Sequence, residues 1–477
     1  MHGLSLDALS ANSMVSANDL RNLNAALRSN GQSVTKANVG YPTQGQAATN
    51  DLAALVPQSI QATLDSATFM QQHIRFWNRL SKVDVSSTLH ESNVVKQHGE
   101  MGLDPWVSEG GGGSAYPNSE GSYERKIVKI KYMAEKIELS DVATMVGITG
   151  VNRSALAQRT QDGTMALMGK LERSLFWADS DLQPLAFDGL DKQLAAGAPN
   201  NVTDNKGAAT SPQQLQEVLG ALLATPNYSM PNVIMCDPQV YQTLVNIATA
   251  SGRHDMLSVT ASGGGRSLVY GASELSVSGP AGTVPIISVP LLEREQEPNS
   301  GAVGPNDLAT PTLSSVVGNN SSAVSPYKAG EVYKYKVVGV SEKGLTAPVE
   351  SANVTIAADG NCAAFDIDHS AHANIAYYRI FRTVSAGGSK YGFLEEIARD
   401  AAATSYVDDG SDLPGTGTIF AGQMDPSVLY WAQLLDFTRR PLAQVQTTIP
   451  FLLMLFGSLH VKVPTKWWRV RNVAKSI

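Results

Sequence analysis

Hydrophobic positions recur at helical spacing in two parts of the chain's first half. After Pro57, apolar residues follow one another every three or four positions, which predicts a helix in residues 56–84: Ile60, Leu64, Ala67, Met70, Ile74 and Trp77. Residues 1–55 are rich in Ser, Asn, Ala and Gly without such a repeat, so they are predicted to form a mobile N-terminal arm. A second repeat predicts a long helix over residues 152–179: Leu167, Leu171, Leu175 and Ala178.

The stretch between these helices alternates instead. Val128, Ile130 and Tyr132 are separated by lysines, a period of two that is typical of a β-strand. Residues 109–122 are rich in Gly, Ser and Pro and include four consecutive glycines: Gly110, Gly111, Gly112 and Gly113. Residues 85–139 are therefore predicted to form a long hairpin with a flexible end. A hairpin of this length cannot bury its own faces, so we expect it to lie on another element.

Residues 210–306 combine helical and strand patterns. Ser211 begins a capping box with Pro212 in the first turn, and the apolar face of a helix follows: Leu215, Val218, Leu219 and Leu222. Residues 233–236 predict a short buried strand, and Asp237 after them is expected to cap a second helix, which carries Val240, Leu244 and Val245. A further strand is expected over residues 284–292.

The rest of the chain is mainly strand-like. Residues 307–420 show short alternating strands separated by Gly, Asn, Asp and Pro turns, which is typical of an all-β module. Residues 423–477 return to mixed structure and end in alternating strands with Leu459, Val461 and Val463.

Composition indicates a folded chain with little charge. It has 477 residues, 43% of them hydrophobic and 17% charged, and a formal net charge of −7. Cys236 and Cys362 are too few for a disulfide framework, no signal peptide is visible at the start, and the strongest apolar run, residues 449–457, is too short to span a bilayer. The sequence therefore predicts a soluble intracellular protein.

Charge is unevenly distributed. Residues 307–420 hold 8 basic and 13 acidic residues, a net charge of −5, whereas residues 423–477 carry a net charge of +5. The basic end, with Trp467 and Trp468, leaves nucleic-acid binding open, but strands whose cations meet acidic neighbours are the favoured reading.

No catalytic motif is present. The P-loop, the His-Glu-x-x-His pair and the Gly-x-Ser-x-Gly elbow are all missing from the sequence. His369 and His372 near Asp366 and Asp368 suggest a metal site, and residues 408–412 distantly resemble a calcium loop, but turns explain both clusters better. The sequence thus predicts no catalytic residue, no cofactor-binding residue and no metal ligand, and we expect the protein not to be an enzyme.

The order of elements resembles that of the major capsid proteins of tailed bacteriophages, whose fold also occurs in encapsulin compartments. Three stretches carry the likeness: residues 171–177 followed by 187–190, residues 230–238, and residues 459–473. The resemblance implies an α+β fold with these parts: an N-terminal arm (1–55), an N-terminal helix (56–84), an extended loop (85–139), a peripheral domain with a spine helix (140–209), an axial domain (210–306) and C-terminal return strands of the peripheral domain (423–477).

Residues 307–420 resemble a fibronectin type III or immunoglobulin-like domain inserted into that fold. Residues 333–340 with 344–351 look like a central strand and the loop after it, and residues 377–383 look like a later strand. The resemblance implies an all-β sandwich on the outer face, with a core that includes Tyr333, Tyr335, Val337, Tyr378 and Ile380.

The capsid resemblance implies a structural subunit that assembles into the icosahedral or prolate head shell of a tailed phage around double-stranded DNA. Assembly residues are expected in the spine helix (Leu167, Leu171 and Leu175) and in the extended loop (Trp106, Gly110, Gly111, Gly112, Gly113, Val128, Ile130 and Tyr132). The implied partners are further copies in hexamers and pentamers, portal, scaffold or decoration proteins, and weakly contacted DNA, with no membrane and no cofactor. The implied location is the virion, after assembly in the host cytoplasm.

Two other functions remain open at this point. An encapsulin-like compartment would use the same fold to enclose a cargo enzyme, and the inserted module argues mildly against it. An adhesion protein would bind through the β-sandwich module, and the missing signal peptide argues against that alternative.

Overall fold

The computed structural model shows a mixed α/β protein. It describes residues 68, 70–99, 106, 109, 120–145, 154–250, 258–262, 265–269, 275–294, 297–304, 310–322, 325–341, 344–368, 375–400, 403–444 and 447–475. The α-helices in these ranges are α1 (Phe76–Arg79), α2 (Asp141–Met145), α3 (Ala155–Trp177), α4 (Leu190–Gly197), α5 (Pro212–Leu223) and α6 (Pro238–Ala250). All of the described residues belong to one compact unit, residues 65–148 and 152–477.

The strands of the described ranges fall into three groups along the chain. Before the all-β region they are β1 (Lys82–Asp84), β2 (Leu89–Gln97), β3 (Ser122–Lys129), β4 (Lys131–Ser140), β5 (Val202–Asp204), β6 (Val233–Cys236), β7 (Ser258–Ser262), β8 (Gly265–Val269), β9 (Leu275–Gly279) and β10 (Gly282–Ser288). Within it they are β11 (Thr312–Ser321), β12 (Val332–Tyr333), β13 (Tyr335–Ser341), β14 (Gly344–Leu345), β15 (Val349–Glu350), β16 (Val354–Thr355), β17 (Asn361–Asp368), β18 (Tyr377–Thr383), β19 (Tyr391–Ala398) and β20 (Thr404–Asp408). After it they are β21 (Gly417–Gly422), β22 (Leu429–Pro441), β23 (Thr448–Val461) and β24 (Trp467–Val473).

A four-stranded sheet with the order β1-β22-β23-β4 forms one part of the body. The strongly apolar run of residues 449–457 lies in β23, between β22 and β4. Phe451 and Leu453 pack with Leu167 of α3, while Tyr430 and Ala432 of β22 belong to a second small cluster. The run is apolar because this central strand is mostly buried.

A six-stranded sheet with the order β5-β24-β21-β6-β10-β9 forms the other part. Its central strand β6 is buried at all four positions. Helices α5 and α6 contribute Leu219 and Val240 to the cluster that covers one face, and Phe420 of β21 and Trp467 of β24 belong to the larger cluster that includes α3. Both faces of the sheet are therefore buried in apolar packing.

Helix α3 is the central connecting element. Its 23 residues span about 35 Å at 1.5 Å per residue. Phe176 stacks on Phe76 with ring centroids 4.6 Å apart and lies 5.8 Å from Phe420, so one side chain joins the N-terminal segment to the six-stranded sheet. The main core extends from α3 to both sheets of the body.

The described residues between 310 and 408 form an all-β region. One sheet has the order β11-β17-β20, and the other has the order β14-β13-β18-β19 with β15 also on β13. Tyr335 of the second sheet lies 5.2 Å, ring to ring, from Phe365 of the first. Side chains from both sheets form one buried cluster between them, as in a β-sandwich.

The predicted hairpin is shorter than expected. β2 and β3 pair antiparallel from Leu89 opposite Lys129 to Gln97 opposite Ser122. The chain then leaves the hairpin at Ile130, and β4 pairs with β23 of the body. The prediction that residues up to 139 belong to the hairpin is therefore wrong. Alternation gives the strand period, but it does not identify the neighbouring strand.

Three further expectations need correction. The stripe from Ile60 to Trp77 does not continue as one helix, because Ile74 is extended and only the short α1 follows; residues 57–67 lie outside the described residues. β24 belongs to the six-stranded sheet and not to the peripheral return strands, and residues 417–420 of the predicted insertion lie in β21 of that same sheet. The expected arm, residues 1–55, also lies outside the described residues.

Other local predictions are confirmed. The long helix runs from Ala155 to Trp177, and the Oγ of Ser211 accepts a hydrogen bond from the backbone N–H of Gln214 at 3.2 Å, as a helix cap should. The four apolar positions of α5 are buried, and so are those predicted for α6. Among the described helices, none combines the length and apolar character needed to cross a membrane.

Candidate assembly surfaces

One face of the hairpin is exposed along β2 and β3. It carries Leu89 and Val95 of β2 with Tyr123 and Ile127 of β3, and Tyr123 is 74% exposed. An ion pair between Glu91 and Arg125, 3.3 Å long, lies on the same face. An apolar strip with charged neighbours on a projecting element is typical of a surface that a partner covers.

The opposite face of the hairpin contacts the four-stranded sheet through polar side chains. His90 Nε2 lies 2.7 Å from the Tyr430 hydroxyl, and Ser92 Oγ lies 2.7 Å from His460 Nε2. Burial, together with the smaller effects of the nearby His90, Lys462 and Lys126, lowers the pKa of His460 to about 4. His460 is therefore neutral at physiological pH, and this polar cluster joins the hairpin to the body.

The residues predicted for the extended loop do not share one environment. Trp106 is 86% exposed, Val128 is half-buried on the inner face and Ile130 is buried where the hairpin ends. Tyr132 is exposed on β4, with its ring edge-on to Phe456 at 4.8 Å. The four glycines lie outside the described residues: Gly110, Gly111, Gly112 and Gly113. Their assembly role stays a prediction.

The leucines predicted for assembly in the spine helix are buried inside the subunit. Leu171 and Leu175 have no exposed surface and pack in the main core, and Leu167 packs on Phe451 and Leu453. Side chains in this position stabilise the subunit fold directly. Any effect on assembly would act through α3, and it also stays a prediction.

A buried carboxylate on α3 anchors the N-terminal segment, which sequence reasoning missed. Glu172 Oε1 accepts hydrogen bonds from the backbone N–H groups of Arg75 and Phe76 at 2.9 and 2.6 Å, and Oε2 accepts one from Trp77 at 2.8 Å. Burial raises the pKa of Glu172, and the three N–H donors oppose that rise. Glu172 thus satisfies the free amides at the start of α1. The only signal in the sequence was a charge close to the apolar stripe of a helix.

The five residues predicted for the core of the all-β region lie in its buried cluster: Tyr333, Tyr335, Val337, Tyr378 and Ile380. Asp408, read from the sequence as part of a turn, ends β20 inside this core. Its carboxylate accepts hydrogen bonds from the hydroxyls of Tyr327 and Tyr335, both at 2.8 Å, and pairs with Arg382 at 2.7 Å. The turn begins only after it, where Gly410 has a φ of 77°.

The all-β region packs against the body at a polar junction. The Arg294 guanidinium lies 4.2 Å from the ring of Trp177 on α3 and 5.0 Å from the ring of Phe393 on β19. The Asn472 side chain accepts a hydrogen bond from the Leu413 N–H and donates one to the Ser411 carbonyl. These contacts hold the region on the body through a limited, mainly polar set of side chains.

A buried charge cluster lies next to this junction. Lys475 Nζ lies 3.8 Å from Asp237 Oδ2 and 2.9 Å from Glu293 Oε1. Burial raises the pKa of Asp237 to about 7 against the opposing effect of Lys475. Asp237 stands at the start of α6 as expected, where its carbonyl accepts a hydrogen bond from the Tyr241 N–H at 2.9 Å. Its side chain points elsewhere, because Oδ2 accepts a hydrogen bond from the Thr418 N–H and Oδ1 has no partner among the described residues.

No group of three or more potential metal ligands occurs among the described residues. Asp366, one member of the histidine and aspartate cluster, accepts a hydrogen bond from Ser405, and His369 and His372 lie outside the described residues.

The aromatic and basic residues of the C-terminal end lie within the fold: Trp467 is buried in the main core and the Trp468 ring N–H donates a hydrogen bond to the Thr203 hydroxyl. Arg469 and Arg471 of the basic end pair with Asp191 and Asp204, as the reading of cations that meet acidic neighbours predicted.

Comparison with known proteins gives consistent relatives. No family model matches the chain. A putative major capsid protein of Enterococcus phage phiEF24C is 25% identical over 442 residues, which cover 89% of this chain and 90% of that protein. The major capsid protein of Staphylococcus phage K is 24% identical over 442 residues, with coverage of 89% and 91%.

Two solved structures align with most of this chain at low sequence identity. The holo-SrpI encapsulin complex of Synechococcus elongatus is 11% identical, with a TM-score of 0.44 over 90% of this chain and 97% of that one. The structure of Gordonia phage Cozz is 10% identical, with a TM-score of 0.45 over 92% and 98% of the two chains.

Proposed function

We propose that this chain is a structural subunit of a bacteriophage head shell. The observation that carries the proposal is the likeness to phage major capsid proteins over 442 residues, nine-tenths of both chains. The prediction of a shell subunit, made from the order of elements, is confirmed by these relatives. The protein acts by self-assembly, and its role is structural and not enzymatic.

The finer features of the shell are part of the proposal. The subunit forms hexamers and pentamers that close into an icosahedral or prolate shell around double-stranded DNA, and portal, scaffold or decoration proteins join it during assembly in the host cytoplasm. Support for lateral contacts comes from the hairpin, because its apolar face with Tyr123 and Ile127 is exposed in the single subunit. Head-to-tail contacts of one surface with a different surface are what ring closure requires.

Electron microscopy of the purified protein tests this proposal. The full chain is expected to form closed shells, and deletion of residues 107–121 at the end of the hairpin is expected to leave a folded subunit that does not close them. Shells that enclose a protein cargo and no DNA in infected cells would favour the encapsulin-like alternative. A full chain that stays monomeric at high concentration would contradict the proposal.

The all-β region is proposed to be an inserted immunoglobulin-like or fibronectin type III-like domain on the outer face of the shell. Support comes from its separate buried core and from its acidic charge, which is unfavourable next to packaged DNA. Replacing residues 310–416, which end just before β21, by a Gly/Ser linker should still permit shells. Antibodies against the region should bind intact particles, and binding only to broken particles would contradict the outward position.

A further inference from the structure

A buried lysine lies between two carboxyl groups at one edge of the six-stranded sheet. Lys475 Nζ lies 2.9 Å from Glu293 Oε1 and 3.8 Å from Asp237 Oδ2. The side chains of Lys475 and Asp237 are each only 3% exposed, whereas that of Glu293 is 31% exposed. An amine and a carboxyl group that a fold holds together away from water are the two reactants of an amide bond.

The topology of the sheet brings these three residues together from distant parts of the chain. β10 pairs parallel with β6, and β21 pairs antiparallel with both β6 and β24, so β6, β10 and β24 all run in one direction. Asp237 directly follows β6, Glu293 comes shortly after β10 and Lys475 shortly after β24. The carboxyl ends of these strands meet at the same edge, and backbone pairing therefore fixes the position of each side chain.

The carboxyl group of Asp237 has the environment of an electrophile. Burial raises the pKa of Asp237 to about 7, so its protonated form is well populated near neutral pH. An amine attacks this form more readily, because a carboxylate repels the incoming electron pair. Oδ2 accepts a hydrogen bond from the Thr418 N–H at 3.1 Å, and this donor would stabilise the negative charge that develops on Oδ2 during the attack.

Gly417 provides the space in which the two groups meet. A Cβ atom at this position would lie 2.7 Å from Asp237 Oδ2 and 3.3 Å from Lys475 Cε. The first distance is shorter than a van der Waals contact, so a side chain here would push the carboxyl group away. The bare backbone at the start of β21 thus forms the wall against which the amine and the carboxyl group pack.

We propose that Lys475 and Asp237 become joined by an amide bond between Nζ and Cγ, with Glu293 as the proton acceptor. Glu293 Oε1 takes a proton from the Lys475 ammonium, and the freed electron pair forms the Nζ–Cγ bond. The bond between Cγ and the protonated Oδ1 then breaks, and Oδ1 leaves as water with the proton that Glu293 returns.

The protons and electrons of this step balance. Glu293 takes a second proton from the nitrogen and passes it to solvent, which its partly exposed side chain can reach. This replaces the proton that Asp237 had taken up before the attack. One ammonium and one carboxylate therefore give one amide and one water, and no oxidant, reductant or further reactant is needed.

The bond would close a covalent loop from residue 237 to residue 475, which contains the whole all-β region. A cross-link of this kind stabilises a fold mainly by restricting the unfolded chain. It forms within one subunit, so the inference goes beyond the proposed shell function and does not depend on assembly.

The mass of the denatured full chain tests the bond directly. The purified wild-type protein is expected to be lighter than its sequence by the mass of one water molecule. Trypsin cleaves after Lys and Arg but not after a lysine whose amine is part of an amide. The digest should therefore contain a branched peptide that joins residues 207–253 to residues 472–477.

Three variants assign the roles. Lys475→Arg keeps the positive charge without a nucleophilic amine, so it should have the full sequence mass. Glu293→Gln keeps both reacting groups, and its joined fraction soon after synthesis should be at least tenfold lower than that of the wild type. Lys462→Arg is the matched control: Lys462 belongs to the same C-terminal part of the chain, but its Nζ lies over the ring of Tyr430, so the loss of water should persist.

Three outcomes would overturn the inference. Folded wild-type protein that keeps the full sequence mass after a day at neutral pH would show that the lysine and the two carboxyl groups form an ion pair only. A loss of water that persists in Lys475→Arg would place the reaction elsewhere in the chain, and a Glu293→Gln variant that joins as fast as the wild type would remove Glu293 from the step. Far-UV circular dichroism and thermal melting check that the variants fold, and the wild-type mass decides the question even if one of them does not.

Discussion

Removal of the Glu172 carboxylate should release the N-terminal segment from α3. In Glu172→Ala, the N–H groups of Arg75, Phe76 and Trp77 lose their acceptors. A buried donor without a partner costs about 1–3 kcal/mol, so with three such donors the local loss should be at least about 3 kcal/mol. In Glu172→Gln the remaining carbonyl oxygen can still accept two hydrogen bonds, as Oε1 does now. The side-chain NH2 group that replaces Oε2 would face the Trp77 N–H, so two donors would meet there without an acceptor. The expected cost of that variant is about 1–3 kcal/mol.

Hydrogen exchange of the Phe76 and Trp77 amides measures this loss directly. When these amides exchange through a local opening equilibrium, a destabilisation of about 3 kcal/mol corresponds to roughly 100-fold faster exchange. Glu135→Gln is the control, because Glu135 forms an exposed ion pair with Lys170 at 3.1 Å and should change stability by less than about 1 kcal/mol. Unchanged exchange at both amides in Glu172→Ala would refute the reasoning, since their protection would then come from packing alone.

Two further predictions concern the hairpin joint and the all-β region. His460 has a pKa of about 4 in the folded protein against an ordinary value of 6.5, so the unfolded state binds its proton first and stability should fall by about 3 kcal/mol as the pH drops from about 7 to about 4. Urea denaturation across this pH range gives the free energy of unfolding at each pH. That free energy should fall less steeply with decreasing pH in His460→Gln than in the control His73→Gln; an equal pH dependence in both variants would exclude His460 as the cause. Asp408→Asn should destabilise the all-β region by about 3–5 kcal/mol because it leaves the Arg382 charge buried without its partner, and calorimetry of that variant should show an earlier melting step, whereas an unchanged melting curve would contradict the importance of the pair.

Local signals in the sequence predicted local structure well. The cap at Ser211 and the apolar faces of α5 and α6 involve residues close together in the chain, and the structure has them as expected. The stripe around Trp77 failed for a non-local reason. The amides that a continuing helix would pair within itself are bonded to Glu172, 95 to 97 residues away. The spacing of apolar residues does not show that such a distant side chain will accept hydrogen bonds from these amides.

The sequence did not predict which sheet each strand joins, and the reason is again non-local. The alternation through Val128, Ile130 and Tyr132 correctly predicts strands, but it is the same whether β4 pairs within the hairpin or with the body. Only the pairing of β4 with β23, which is distant in the chain, decides between the two.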